Sequence, residues 1–123
     1  MKHKKEGKKL GREPKQRRAL FNGLIANLII SEKITTTQAK AKSIKPKMDK
    51  IITKIKKAGD DAQKKVSVIR DLRRNLNEGA VTKISGDFIK KFESRNSGYT
   101  RIIKLPNRKS DSAEVAVIEL VQD

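Results

Sequence analysis

The residues best suited to gripping a polyanion are Arg95-Asn96-Ser97-Gly98-Tyr99-Thr100-Arg101. The wider stretch 95–109 carries Arg95, Arg101, Lys104, Arg108 and Lys109 and no acid. Guanidinium forks hold phosphate oxygens in pairs, and a flat ring beside a pliable turn can stack on an unpaired base. Asn96 and Gly98 permit the tight backbone such a turn needs. The sequence leaves two readings of Tyr99 open: a platform for a base, or the start of a strand that tucks its ring into the core.

Two further groups carry the same kind of chemistry. Lys2, Lys4, Lys5, Lys8, Lys9, Arg12, Lys15, Arg17 and Arg18 stand against Glu6 and Glu13, so residues 1–18 carry 9 − 2 = +7. Lys40, Lys42, Lys45, Lys47, Lys50, Lys54, Lys56 and Lys57 form a second basic run. Between the two runs, Thr36 or Thr37 suits the cap of a helix. Phosphate contact is a second role open to Thr36.

Catalysis requires groups tuned to one another, and the sequence offers no such set. The single histidine, His3, lies in the basic start, where nothing would hold it in a fixed geometry. No cysteine is present, which excludes disulfides and thiolate metal sites and fits a reducing compartment. Gly-rich phosphate loops, spaced His/Asp/Glu ligands and serine-nucleophile motifs are missing. Neither an enzyme, a cofactor, a metal nor a small-molecule substrate is expected.

The composition agrees with the basic groups. Thirty-one Lys and Arg against 14 Asp and Glu give 31 − 14 = +17. Self-repulsion on that scale opposes compaction, and a polyanion relieves it by shedding condensed counterions. No apolar run reaches the roughly 20 residues of a membrane span. The run Leu20–Ile30 after a basic start has the outline of a signal peptide. Asn22 and Asn27 interrupt it and Ser31-Glu32-Lys33 follows, so an amphipathic helix is the reading, in a cytoplasmic protein.

These groups need elements to position them. Residues 1–13 hold Leu10 as their only sizeable apolar side chain after Met1 and read as an extended basic arm, ordered by its partner. Residues 14–123 read as a single globular domain. Pro14 opens a helix whose apolar stripe is Leu20, Phe21, Leu24, Ile25, Leu28 and Ile29. Ile34-Thr35-Thr36 is a short strand or extended link. A second helix presents Ile44, Met48, Ile51, Ile52 and Ile55 and ends at Gly59, with a kink or a break at Pro46. Asp60-Asp61 suits the start of a further helix. Residues 60–93 read as short helices, with Val66, Ile69 and Leu72 as one apolar set and Ile84, Phe88, Ile89 and Phe92 as another. Two strand-like runs, 99–105 and 113–121, flank a turn-like stretch and imply an antiparallel hairpin. The fold class is α+β or mixed α/β: a small sheet with a C-terminal hairpin, packed against several helices. Residues 110–123 contain Asp111, Glu114, Glu119 and Asp123 without a cation, so that end is expected to turn from phosphate or to face a basic neighbour.

Several of these stretches resemble the seventeenth protein of the bacterial large ribosomal subunit. Met1–Arg12, with His3 and Lys9-Leu10-Gly11-Arg12, is similar to that family's start, and Arg18-Ala19-Leu20 continues it. Ile34–Lys42 resembles the signature after the first helix; Asn96–Leu105 and Val117–Leu120 resemble the C-terminal blocks. The arm departs in using lysine where arginine is usual, Asn22-Gly23 replaces a more basic pair, and Ser97 and Ser110 stand where glycine is common. The resemblance implies a structural constituent of the large subunit that binds and rigidifies ribosomal RNA near the peptide exit tunnel, beside other large-subunit proteins. The residues expected at the RNA are Lys2, His3, Lys4, Lys5, Lys8, Lys9, Arg12, Lys15, Arg17, Arg18, Thr36, Lys40, Lys42, Asn96, Tyr99, Thr100, Arg101, Arg108 and Lys109. A DNA-binding architectural protein is the alternative, because charge alone does not separate the two nucleic acids.

Overall fold

The computed structural model describes residues 14–121. The basic arm 1–13, and with it the expectations for Lys2, His3, Lys4, Lys5, Lys8, Lys9 and Arg12, lies outside the described residues, as does Asp123.

Pro14 opens α1 (Pro14–Ser31), which buries Phe21, Ile25, Leu28 and Ile29 along one face. Glu32 ends it in the left-handed region (φ 68°), donating its backbone N–H to the Leu28 carbonyl at 2.7 Å. The chain then runs as β1 (Lys33–Thr37) directly into α2 (Gln38–Ala58). Thr37 is the cap between them: its hydroxyl accepts from the Lys40 amide at 3.3 Å. Of the two threonines that suit this role in the sequence, the second performs it.

Helix α2 passes through Pro46 without a break. Proline removes one internal hydrogen bond. Burial of Ala41, Ile44, Met48 and Ile52 on both sides of it holds the element together. The helix ends at Gly59 (φ 53°), whose N–H returns to the Lys56 carbonyl at 3.1 Å. Asp61 then caps α3 (Ala62–Arg73), its carboxylate accepting from the Gln63 and Lys64 amides at 3.0 and 3.2 Å. Asn77 caps α4 (Glu78–Ser85) in the same way, and a 3-10 turn follows over Asp87–Phe92.

One apolar expectation in this region is corrected. Val66 is 54% exposed, and the inward face of α3 runs instead through Val68, Ile69 and Leu72 to Leu76. Val66 falls about 200° around the helix from Val68, so α3 cannot turn both inward. The second expected set is inward as read: Ile84, Phe88 and Phe92 are buried, with Ile89 packed against them.

The C-terminal hairpin is present as β2 (Thr100–Lys104) and β3 (Val115–Leu120), antiparallel. β1 also pairs with β3 antiparallel, so the order is β1-β3-β2 and the acidic last strand is the centre of the sheet. The row Ile34, Ile118, Ile102 faces the helices; the neighbouring row Lys33, Glu119, Arg101 faces away. Glu119 therefore stands between two cations of its own sheet. The architecture is α+β, with α1 and α2 packed on one face of a small antiparallel sheet and α3, α4 and the 3-10 turn packed on those helices.

Candidate nucleic-acid interface

Helix α2 sorts its lysines by angle. At about 100° per residue, Lys45 and Lys56 fall within about 20° of each other on one border of the apolar stripe. Lys47 and Lys54 fall on the opposite border, with Lys50 and Lys57 between them and solvent. The first pair is used inside the protein. Lys45 Nζ donates to the Thr100 carbonyl at 2.7 Å and to the Thr100 hydroxyl at 3.0 Å. Lys56 Nζ donates to the Arg95 carbonyl and, at 3.2 Å, to the Tyr99 hydroxyl. Asp49, on the same border of the stripe, accepts from the Thr100 hydroxyl at 3.2 Å. These two lysines, read from the sequence as part of the second basic run, are clamps that fix the segment 95–100 against α2.

That clamp corrects two expected contacts. Tyr99 is only 3% exposed; its ring packs edge-on against Phe92 with centroids 5.9 Å apart, and its hydroxyl donates to the Arg95 carbonyl at 3.3 Å. Of the two readings open in the sequence, the core is the one found, and the ring presents no face for a base. Thr100 is 4% exposed, and its hydroxyl is spent on Lys45 and Asp49. The reason is common to both: at the entry to β2 they lie against α2, where Lys45, Asp49 and Lys56 take up their hydroxyls.

The remaining expected residues are distributed over several faces. Lys15 and Arg18 are exposed in the first turns of α1, and Arg17 is half-buried beside them. Lys42 is exposed on α2, with Lys40 half-buried two residues earlier. With the Gln38 amide set to match its neighbours, its oxygen accepts from Lys42 Nζ at 3.2 Å and its nitrogen donates to the Glu114 carboxylate at 2.9 Å. Thr36 is half-buried in the sheet row that faces the helices, opposite the buried Ala116. Asn96 is exposed in the turn before β2, and Lys109 in the hairpin loop. Arg101 is matched across the sheet by Glu119, which accepts from Nε at 2.8 Å and also from Nη2. Arg108 stands 3.4 Å from Asp111 in the same loop. The structure thus brings Arg95, Tyr99 and Thr100 together with α2, and leaves Arg108 and Lys109 at the far end of the hairpin.

What the arrangement offers a polyanion is the outward side of α2. Lys42, Lys50, Lys54 and Lys57 are exposed, and Lys47 lies over the Phe21 ring, 5.3 Å from its centre. Among the described residues, Lys47, Lys50, Lys54 and Lys57 have no carboxylate within ion-pair distance. Lys83 is a cation the sequence does not single out. It is spent structurally, 2.9 Å from Glu32 and 2.8 Å from the Ile30 carbonyl. Among the described residues no cluster of His, Cys, Asp or Glu could hold a metal ion, and no helix is long and apolar enough to cross a membrane.

Comparison with known proteins agrees over nearly the whole chain. The family described as Ribosomal protein L17 matches residues 20–121. The chain is similar to the large ribosomal subunit protein bL17 of Petrotoga mobilis, 40% identical over 98% of this chain and 97% of that protein. It is also similar to the bL17 proteins of a Hydrogenobaculum species (42% identical, 99% and 100% covered) and of Opitutus terrae (43% identical, 99% and 74% covered). The extent of these matches, on a basic α+β fold of this size, means that the chain belongs to the ribosomal protein L17 family of the large ribosomal subunit.

Proposed function

We propose that the protein is a structural constituent of the large ribosomal subunit that binds and rigidifies large-subunit ribosomal RNA by neutralising its phosphates. The observation that carries this is the division of labour on α2. Lys45 and Lys56 hold the fold together, while Lys47, Lys50, Lys54 and Lys57 lie on the other side without carboxylate partners among the described residues. An unspent row of ammonium groups on a rigid helix lowers the cost of bringing phosphates close together.

Lys15, Arg17, Arg18 and Lys42 extend the basic surface, and Arg108 and Lys109 supply a second contact at the hairpin end. The arm residues add further cations. The family resemblance supports a position near the peptide exit tunnel with other large-subunit proteins as neighbours, in the cytoplasmic ribosome. The role is architectural and not enzymatic, with no cofactor or small-molecule substrate.

Measuring affinity for large-subunit RNA against salt tests this reading. A steep log–log dependence is expected; a slope below about two released ions on the single-strand scale contradicts it.

A further inference from the structure

Beside the lysine row, α1, α2 and α3 enclose a cleft of about 340 Å³. Its floor is apolar, from Ile25, Ile51, Val68 and Leu72. One wall is cationic: Lys47, Lys50 and Lys54 line it from successive turns of α2. The rim carries two side-chain amides, Asn22 from α1 and Asn75 from the end of α3, and neither has a hydrogen-bond partner for its side chain among the described residues. The lining includes one carboxylate, Asp71, against the three lysines.

We infer that this cleft receives one unpaired nucleotide of the bound RNA, its base over the apolar floor and its phosphates on the α2 lysines. The inference rests on the RNA-binding reading above and gives it a specific place. A nucleotide has a flat, weakly polar body, an edge of donors and acceptors, and an anionic backbone. The cleft offers a counterpart to each. Apolar surface covers the faces of the base, and each amide presents both a donor and an acceptor to its edge. Three ammonium groups meet the backbone, leaving an excess of two positive charges over Asp71 (3 − 1 = +2). A duplex has no free base to insert, so the cleft would discriminate paired from unpaired RNA where the lysine row alone does not. The site also answers the loss of Tyr99 as a stacking platform: the fold keeps its one tyrosine for the core and offers a base an aliphatic floor instead.

The test compares the full chain with its Asn22→Ala/Asn75→Ala double variant, which removes both amides and changes no charge. Two probes are used, a mixed-sequence single-stranded RNA oligonucleotide and a blunt-ended RNA duplex with the same number of phosphates. The expected result is a loss of about tenfold in affinity for the single strand, from two hydrogen bonds. Affinity for the duplex and both salt slopes should not change. Photocrosslinking with 4-thiouridine in the single strand should give adducts on the cleft lining. Unchanged affinity for both probes, equal loss on both, or adducts only elsewhere would overturn the cleft while leaving the RNA reading intact. A wild-type chain with no salt-dependent affinity for either probe would overturn both.

Discussion

The Lys56 ammonium donates to the Tyr99 hydroxyl at 3.2 Å and stands 5.0 Å from the centre of the ring that carries it. One cation thus satisfies a phenol, a backbone carbonyl and the face of an aromatic ring at once. It belongs to a helix otherwise rich in exposed charge, and its own ammonium is taken up inside the protein. The relationship separates the basic residues that build this protein from those that serve a partner.

Tyr99→Phe keeps the ring against Phe92 and removes the hydroxyl that joins Lys56 to the Arg95 carbonyl. A stability loss of about 1 kcal/mol is expected in chemical denaturation, with RNA affinity unchanged. A large fall in affinity with stability intact would place the hydroxyl at the RNA instead.

The two sides of α2 should respond differently to the same substitution. Lys45→Met strips the donors from Thr100 and should cost about 1–3 kcal/mol of stability. Lys50→Met and Lys54→Met touch no internal partner and should leave the unfolding free energy within about 0.5 kcal/mol of the parent. Each should lower the salt slope of single-strand binding by about 0.7. Parallel denaturation and salt titrations on the three variants separate the roles.

The join between α2 and α3 depends on two adjacent backbone devices. Asp61→Ala leaves the Gln63 and Lys64 amides without their carboxylate and should cost about 1 kcal/mol. Gly59→Ala forces a side chain into a left-handed conformation (φ 53°) and should cost about 1–2 kcal/mol, although the new methyl would meet only the Lys56 carbonyl oxygen at 3.9 Å. Thermal melts of both variants check the values. A Gly59→Ala protein as stable as the parent would show that the strain at this turn is relieved elsewhere.

Much of this fold could be read from residue periodicity. Phe21, Ile25, Leu28 and Ile29 repeat at helical spacing and are buried together; Asp61 and Thr37 announce their caps by type and position. The hairpin was legible because two β-branched runs flank a turn-like stretch. Val66 misled because an isolated spacing of three residues does not fix which face of α3 meets α2; the packing of Val68, Ile69 and Leu72 against the core does. The pairing of β1 with β3 was illegible for the same reason, since about 80 residues separate strands that the core brings together.

The candidate site was less legible than the fold. Composition shows that cations are abundant and says nothing about which ones are spent. Lys45 and Lys50 are indistinguishable in type and neighbourhood; the approach of Thr100 distinguishes them. Asn22 and Asn75 carry no local signal, because their relation exists only once α1 and α3 flank α2.

The central claim is that this chain is held in the large subunit through RNA. Sucrose-gradient sedimentation of the tagged full chain from cell lysate, repeated after a high-salt wash and after nuclease treatment, tests it most directly. The account predicts co-migration with the large subunit, retention through the wash and release by RNase. Protein that stays at the top of the gradient, or that follows DNA and is released by DNase, would contradict it.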